Sequence, residues 1–286
     1  MVIVNDLLYG NVELPAVFAD LLASPALKRL GGIHQSGAIF LVNPEISHTR
    51  LEHSIGVMLL IRRLGGTELE QIAGLLHDIS HTAFSHVCDY VFKNKEENYH
   101  EEMFAEVLMN SEIPALLQKH GYHLNQILDG EFPVLEQPLP DLCADRLDYT
   151  LRDSIHAGLI NRPAAILFLE HIRMQHGQIV VTNKEQVDWI NTLYERLKKE
   201  VFQLPLHLYA NQQMAVLIRD FLKNGFLQEA DLFKDDTFLL NKIRSIALGY
   251  EAVKAIKTLK GYPAFLKKGS TITTKLRNLK AMLSIS

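Results

Sequence analysis

Apolar residues recurring at three- and four-residue intervals run through almost the whole chain, a spacing that suits one side of an α-helix and little else. The pattern predicts helices near 14–30, 52–64, 68–79, 99–109, 141–158, 163–174, 184–201, 206–224, 238–246 and 250–259. Period-two alternation is scarce. "AIFLV" (38–42) and "QIVV" (178–181) read as short strands or a hairpin edge. A mainly α fold with one or two short β-hairpin strands is therefore expected. Thr67 or Gly66 can open the third helix, and Asn98 with Glu101 resembles a capping box that puts His100 in a first helical turn. Asp141, after Pro140, is a candidate N-cap for the helix that carries Asp145. The proline-rich stretch 129–141 is too short to separate domains. One domain over 1–286 is expected, with its core at about 25–160 and a smaller helical part at about 200–286.

Composition narrows the class. Cys88 and Cys143 are the two cysteines among 286 residues, so a disulfide framework is not expected and a reducing cytoplasm suits the chain. The start, MVIVNDLLYGNVELP, lacks the basic opening and long apolar stretch of a signal peptide. Since no run of about 18 apolar residues occurs, no membrane partner is expected. A net charge of −4 argues against general nucleic-acid binding. From Glu251 onward, however, there are eight Lys/Arg and one acid. That tail reads either as a phosphate, lipid or subunit contact, or as a solvated helix face.

The segment "AGLLHDISHTAFSH" (73–86) ends a greasy run with three histidines and an aspartate. Buried polar groups cost free energy unless satisfied, so these side chains either sit in a solvated turn or share a partner. Four candidate ligands lie on predicted helices: His53, His77, Asp78 and Asp145. Imidazole with carboxylate suits a single divalent ion such as Mn, Fe, Ni, Zn or Mg, and such an ion activates water against a phosphoryl group. His81 follows His77 by four, hence on the same face if the helix persists. His86 precedes Asp89 by three, a spacing for an Asp–imidazole pair. In "DRLDYTLRD" (145–153), Asp145, Tyr149 and Arg152 form one stripe flanked by Arg146 and Asp153. Each residue alone also has an ordinary reading: a core histidine, a capping acid, a core tyrosine, or surface pairs His86–Asp89 and Arg152–Asp148.

Taken together, "SHTRLEHSIGV" (47–57), "AGLLHDISHTAFSH" (73–86), "YHEE" (99–102) and "DRLDYTLRD" (145–153) resemble the HD-domain phosphohydrolases. The resemblance covers roughly residues 25–160. It is closest to the deoxynucleoside triphosphate triphosphohydrolases, the branch of the bacterial dGTPases and the SAM-and-HD-domain enzyme. It implies one divalent ion held by His53, His77, Asp78 and Asp145, with hydrolysis of a deoxynucleoside triphosphate to nucleoside and tripolyphosphate. It also implies that His81, His86 and His100 line the phosphates, with His86 donating a proton to the leaving sugar oxygen and Asp89 orienting it. By the same resemblance Gln35, Arg50, Arg146, Tyr149, Asp153 and Tyr209 contact substrate. Arg146 stands where the family has a lysine, which changes a point charge into a fork. Asn211 and Gln212 stand where relatives often carry a histidine, which leaves base and sugar selection open. The chain is shorter than those triphosphohydrolases, so nucleotide-activated tetramers are not expected and a homodimer is the assembly anticipated.

Two other functions compete. A two-metal phosphatase or phosphodiesterase would use His100 with His120 or His123 for its second ion. A non-catalytic nucleotide-sensing module would bind without turnover.

Overall fold

The computed structural model describes the chain apart from residues 273, 274, 276, 277, 285 and 286, so Arg277 of the basic tail lies outside the described residues. The chain opens with strands β1 (Val2–Asp6) and β2 (Gly10–Leu14), an antiparallel hairpin that the helical periodicity does not suggest. Asp6 closes its turn by accepting the N–H groups of Leu8 and Tyr9 at 2.7 and 3.1 Å. The helix expected over 14–30 is two helices, α1 (Ala16–Ala23) and α2 (Pro25–Leu30). Pro25 has no N–H to continue α1, and the Ser24 hydroxyl caps α2 by accepting from Leu27 at 3.2 Å.

Next come α3 (Arg50–Arg63) and α4 (Glu68–Leu76). A reciprocal capping box between Thr49 and Glu52 starts α3, and the Thr67 hydroxyl starts α4. Then follow α5 (Val87–Phe92), α6 (Tyr99–Met109), α7 (Ile113–Lys119), α8 (Leu124–Leu128), α9 (Ala144–His156) and α10 (Arg162–Glu170). A second hairpin, β3 (Ile172–Gln175) and β4 (Gln178–Val181), turns on His176 and Gly177, both at positive φ. Thus "QIVV" is a strand as expected, while the helix before it ends short of 174. Last come α11 (Lys184–Leu197), continued by a π-helical turn Lys198–Phe202, then α12 (Pro205–Lys223), α13 (Glu229–Leu232), α14 (Asp236–Arg244), α15 (Ala247–Lys257) and α16 (Tyr262–Lys268).

Other local expectations need correction. Residues 38–42 are no strand: Gly37–Leu41 form a 3-10 helix. Gly37 turns the chain at φ +73°, the side chain of Asn211 takes the Ala38 N–H at 2.8 Å, and Ala38, Ile39 and Leu41 are all buried. Asn98 makes no capping hydrogen bond, because the Asp89 carboxylate takes the Tyr99 N–H at 3.0 Å. Asp141 does not cap α9, whose N-cap is Cys143. Finally, α4 stops at Leu76, so His77, Asp78 and His81 lie beyond its end. The carbonyls of Ile79 and His81 accept from the Arg29 guanidinium instead of from a continuing helix.

Two apolar clusters flank this His-bearing loop. One gathers α1–α4 and α9 and includes Ile79; the other gathers α5, α12, α14 and α15 and includes Ala83 and Phe84. The loop is therefore pinned at both ends. Where α3 crosses α9, a buried ion group carried by α9 and β1 lies against α3. Arg152 bonds Asp148 through Nε at 2.8 Å and Asp6 through Nη2 at 2.9 Å, all three fully or nearly buried. Burial opposes charge on Arg152, but Asp148 and Asp6 outweigh it and raise its pKa. Gly56 of α3 faces this pair, and a Cβ there would overlap the Asp148 carboxylate and the Arg152 guanidinium. Gly56→Ala should therefore lower stability by about 3–5 kcal/mol, because it prises apart a buried ion pair. A urea midpoint close to that of the parent would contradict this account.

Candidate functional site

A cavity of about 480 Å³ opens beside the His-bearing loop. At its base His53, His77 and Asp78 each present a ligand atom, all within 4.8 Å of one another. Asp145, in the first turn of α9, places Oδ1 at 2.9 Å from His53 Nε2 and 3.6 Å from His77 Nε2. Both rings are aimed by their other nitrogen. His53 Nδ1 donates to Asp148 at 2.9 Å, and His77 Nδ1 donates to the Gly74 carbonyl at 2.8 Å. Each ring thus turns Nε2 inward, and His77 Nε2 is buried without a hydrogen-bond partner among the described residues. Two imidazole nitrogens and two carboxylates converging on one point fit a divalent ion, and the bonds behind the rings are the kind that orient metal ligands.

The electrostatics agree. Burial opposes a charge on His53, but its hydrogen bonds to the Asp145 and Asp148 carboxylates raise its pKa to about 10. His77 is raised likewise, mainly by Asp78 and Asp145 against burial. Despite burial, Asp78 and Asp145 are pushed far below the usual carboxylate range, Asp78 by Arg50 and His77, Asp145 by His53 and His77. The cluster therefore attracts positive charge strongly.

Three more histidines line the cavity. His81 and His100 stack with centroids 3.9 Å apart, and His86 stands edge-on to both. Here burial prevails: it lowers His81 well below its usual range, helped by Arg50 and His100, and takes His100 to about 3, helped by His86. Both rings are neutral at pH 7. His86 has a carboxylate partner: its Nδ1 lies 2.9 Å from Oδ2 of the buried Asp89. Asp89 also receives the Tyr99 N–H, so one carboxylate places His86 and the start of the helix carrying His100.

The loop between these groups is held from afar. Phe84 and Ser85 have positive φ of 60° and 52°, a costly conformation for side-chain-bearing residues. The buried Asp236 of α14 takes the Phe84 N–H at 2.6 Å and the His34 N–H at 2.9 Å. Arg50 bonds Asp78 at 2.8 Å, the Ser85 hydroxyl at 2.9 Å and the Gln35 carbonyl at 3.3 Å.

Of the expected substrate contacts, Gln35, Arg50, Arg146, Tyr149 and Asp153 line the cavity. Tyr209 does not: its hydroxyl donates to the Lys260 carbonyl at 2.7 Å, among Tyr262 and Phe265. Arg152 faces Asp148 and Asp6 rather than the cavity. His120 pairs with Asp20 and His123 precedes α8, so neither reaches His100. Asn211, which the sequence marks as standing where relatives often carry a histidine, also lines the cavity, as do Glu97, Glu136, Tyr194, Lys198, Phe202 and Lys275, which sequence reasoning missed. Tyr194, Lys198 and Phe202 carried a signal, since they recur every four residues along α11 and its π-helical extension. Lys275, on the chain after α16, carried none.

Comparison with known proteins gives the family. A family model described as the HD domain matches residues 50–153. The chain is 46% identical over 244 residues to the uncharacterized protein YdhJ of Bacillus subtilis (strain 168), covering 85% of this chain and 75% of that one. It is 34% identical over 242 residues to the metal-dependent phosphohydrolase cns2 of Cordyceps militaris, covering 82% and 70%. It is 31% identical over 213 residues to the deoxynucleoside triphosphate triphosphohydrolase SAMHD1 of Homo sapiens, covering 56% of this chain and 34% of that protein. The chain belongs to the HD-domain family of metal-dependent phosphohydrolases. Among the described residues, no helix is long and apolar enough to cross a membrane.

His77→Ala should purify with little of the divalent ion that the parent retains, measured by elemental analysis. Asp148→Asn, which weakens the acceptor behind His53 and also the buried pair with Arg152, should lower metal affinity by about 10–100-fold in protein that circular dichroism shows to be folded.

Proposed function

We propose that the protein hydrolyses nucleoside triphosphates, preferring 2′-deoxynucleotides, at the bond next to the 5′ oxygen, releasing nucleoside and tripolyphosphate. The observation that carries this reading is the adjacency of the His53–His77–Asp78–Asp145 cluster to the His86–Asp89 pair within one cavity. A bound divalent ion supplies Lewis-acid polarisation of a phosphoryl oxygen and an activated water. His53, His77, Asp78 and Asp145 hold it. Neutral His81 and His100 hydrogen-bond phosphate oxygens, and Arg146, Lys198 and Lys275 draw the triphosphate to the cavity. His86, steadied by Asp89 through Nδ1, presents Nε2 and gives its proton to the departing 5′ oxygen. Tyr149, Tyr194 and Phe202 make an aromatic wall, with Tyr149 6.5 Å from the Tyr194 ring and 6.4 Å from the Phe202 ring. Such a wall suits a planar base. The enzyme acts in the cytoplasm as a single-domain protein and associates as a homodimer.

A second reading is favoured by one observation: Asp78, His81 and His100 also converge within 4.8 Å. They are a different set from the His120 or His123 partners anticipated from spacing. A second ion there makes the protein a phosphatase or phosphodiesterase on other nucleotides.

The decisive experiment incubates the purified protein with Mn²⁺ and a nucleotide panel, resolving phosphate, pyrophosphate and tripolyphosphate. Nucleoside with tripolyphosphate is expected. Release of single phosphates together with two ions per chain supports the second reading, and tight binding without turnover under several metals points to a sensor. His86→Ala should keep its metal yet lose turnover by about 10²–10⁴-fold. A fully active His86→Ala protein removes His86 as proton donor.

A further inference from the structure

We infer that His207 is a positioning residue for the choice of base: it fastens two walls of the cavity to each other, the 3-10 helix Gly37–Leu41 and the π-helical turn Lys198–Phe202, and so fixes the apolar corner that Ile39 and Phe202 present to the substrate. The inference rests on the reading of the cavity as a nucleotide site and adds to it a residue that does not itself line the cavity. Its origin is a proline. In a continuing α-helix the Val201 carbonyl would accept the N–H of residue 205, but that residue is Pro205, which has none. The helix instead closes a wider turn, with the Gln203 N–H reaching the Lys198 carbonyl at 2.8 Å. The Val201 carbonyl receives the Leu204 N–H at a long 3.3 Å, and its shorter bond, 2.8 Å, comes from Nδ1 of His207 in the first turn of α12.

That bond fixes the tautomer. A neutral ring donating from Nδ1 has a lone pair at Nε2, and the Asn43 side-chain amide lies 3.2 Å from it and donates. His207 is 1% exposed, and burial lowers its pKa, so the neutral ring that this pairing needs is the one present at pH 7. Asn43 gives its own backbone N–H to the Ile39 carbonyl at 2.8 Å. One ring therefore ties the carbonyl of Val201 to the segment that holds Ile39. The side chains confirm that the two walls meet: Ile39, Leu197 and Val201 are buried in one small apolar cluster against which Phe202 packs. Ile39, Phe202 and Gln203 all line the cavity. An apolar corner with an aromatic ring takes the flat face of a base, and the Gln203 amide beside it can meet a base edge. How far that corner reaches into the cavity decides which base fits, and His207 sets it without touching the ligand.

The test compares three variants: His207→Leu, which removes both bonds at similar bulk, His207→Asn, whose amide nitrogen can stand where Nδ1 stands and donate to Val201, and Asn43→Ala, which cuts only the link to the 3-10 helix. Each is assayed with Mn²⁺ on one purine and one pyrimidine 2′-deoxynucleoside triphosphate. The parent should prefer one of the two, and His207→Leu should shrink the ratio of their kcat/KM values by about tenfold, through KM rather than kcat. Asn43→Ala should shift the ratio in the same direction, and His207→Asn should keep most of the parental preference. Bound metal, measured in parallel, should match the parent in all three. Should His207→Leu fail to fold, Asn43→Ala decides the matter. Equal losses on both substrates, a parental ratio in Asn43→Ala, or a parent without preference overturns the inference while leaving the proposed function in place. A parent protein that hydrolyses neither substrate takes down the proposed function and this inference with it.

Discussion

One buried carboxylate organises the catalytic half of this molecule. Asp148 of α9 accepts the His53 ring proton on one side and the Arg152 guanidinium on the other. Its anion is stable in the interior because two donors with positive character face it; Arg152 and His53 lower its pKa against the effect of burial. The bond to His53 fixes which nitrogen that ring offers to the cluster, and the bond to Arg152 connects α9 to the β1–β2 turn through Asp6. Gly56 permits the approach because it has no side chain where the pair lies. Without that close crossing of α3 and α9, His53 and Asp145 would not meet.

The five histidines around the cavity then divide by environment. His53 and His77 sit among carboxylates, which outweigh burial and raise their pKa values. His81 and His100 sit against Arg50, His86 and each other, so burial and like charge act together and keep them neutral. The carboxylates therefore draw positive charge to the metal-ligand cluster, while the stacked pair beside it offers neutral donors and acceptors. His86, edge-on to the stacked pair, is distinguished by its bond to Asp89. Distinct roles for chemically identical side chains arise here from a few ångströms of difference in what surrounds them.

Precision in the His-bearing loop comes from residues remote in sequence. Arg29 binds two of its carbonyls, Asp236 binds Phe84 and His34, and Asn211 steadies the turn at Gly37 and Ala38. These groups come from α2, α14 and α12, so the helices of the second apolar cluster support the site although none of the expected metal ligands lies on them. Left-handed backbone at Phe84 and Ser85 is tolerable because both neighbouring cores hold the segment. Strain there is the cost of turning His81 and His86 into the same cavity.

Much of this was legible in the chain itself. Helical spacing marked most helices because a buried stripe must repeat near 3.6 residues, and the ordered set His53, His77–Asp78, Asp145 stood out because divalent ions require those side chains. Tertiary structure decided what spacing could not encode. It ended α4 at Leu76 and gave the carbonyls of Ile79 and His81 to Arg29, and it coiled Gly37–Leu41 where Asn211 takes the Ala38 N–H. It withdrew Tyr209 into a packing contact with Tyr262 and Phe265, and brought Tyr194, Phe202 and Lys275 to the cavity wall. Local propensity acts over a few residues, whereas these outcomes depend on partners tens to hundreds of residues away, and only the folded chain brings them within reach.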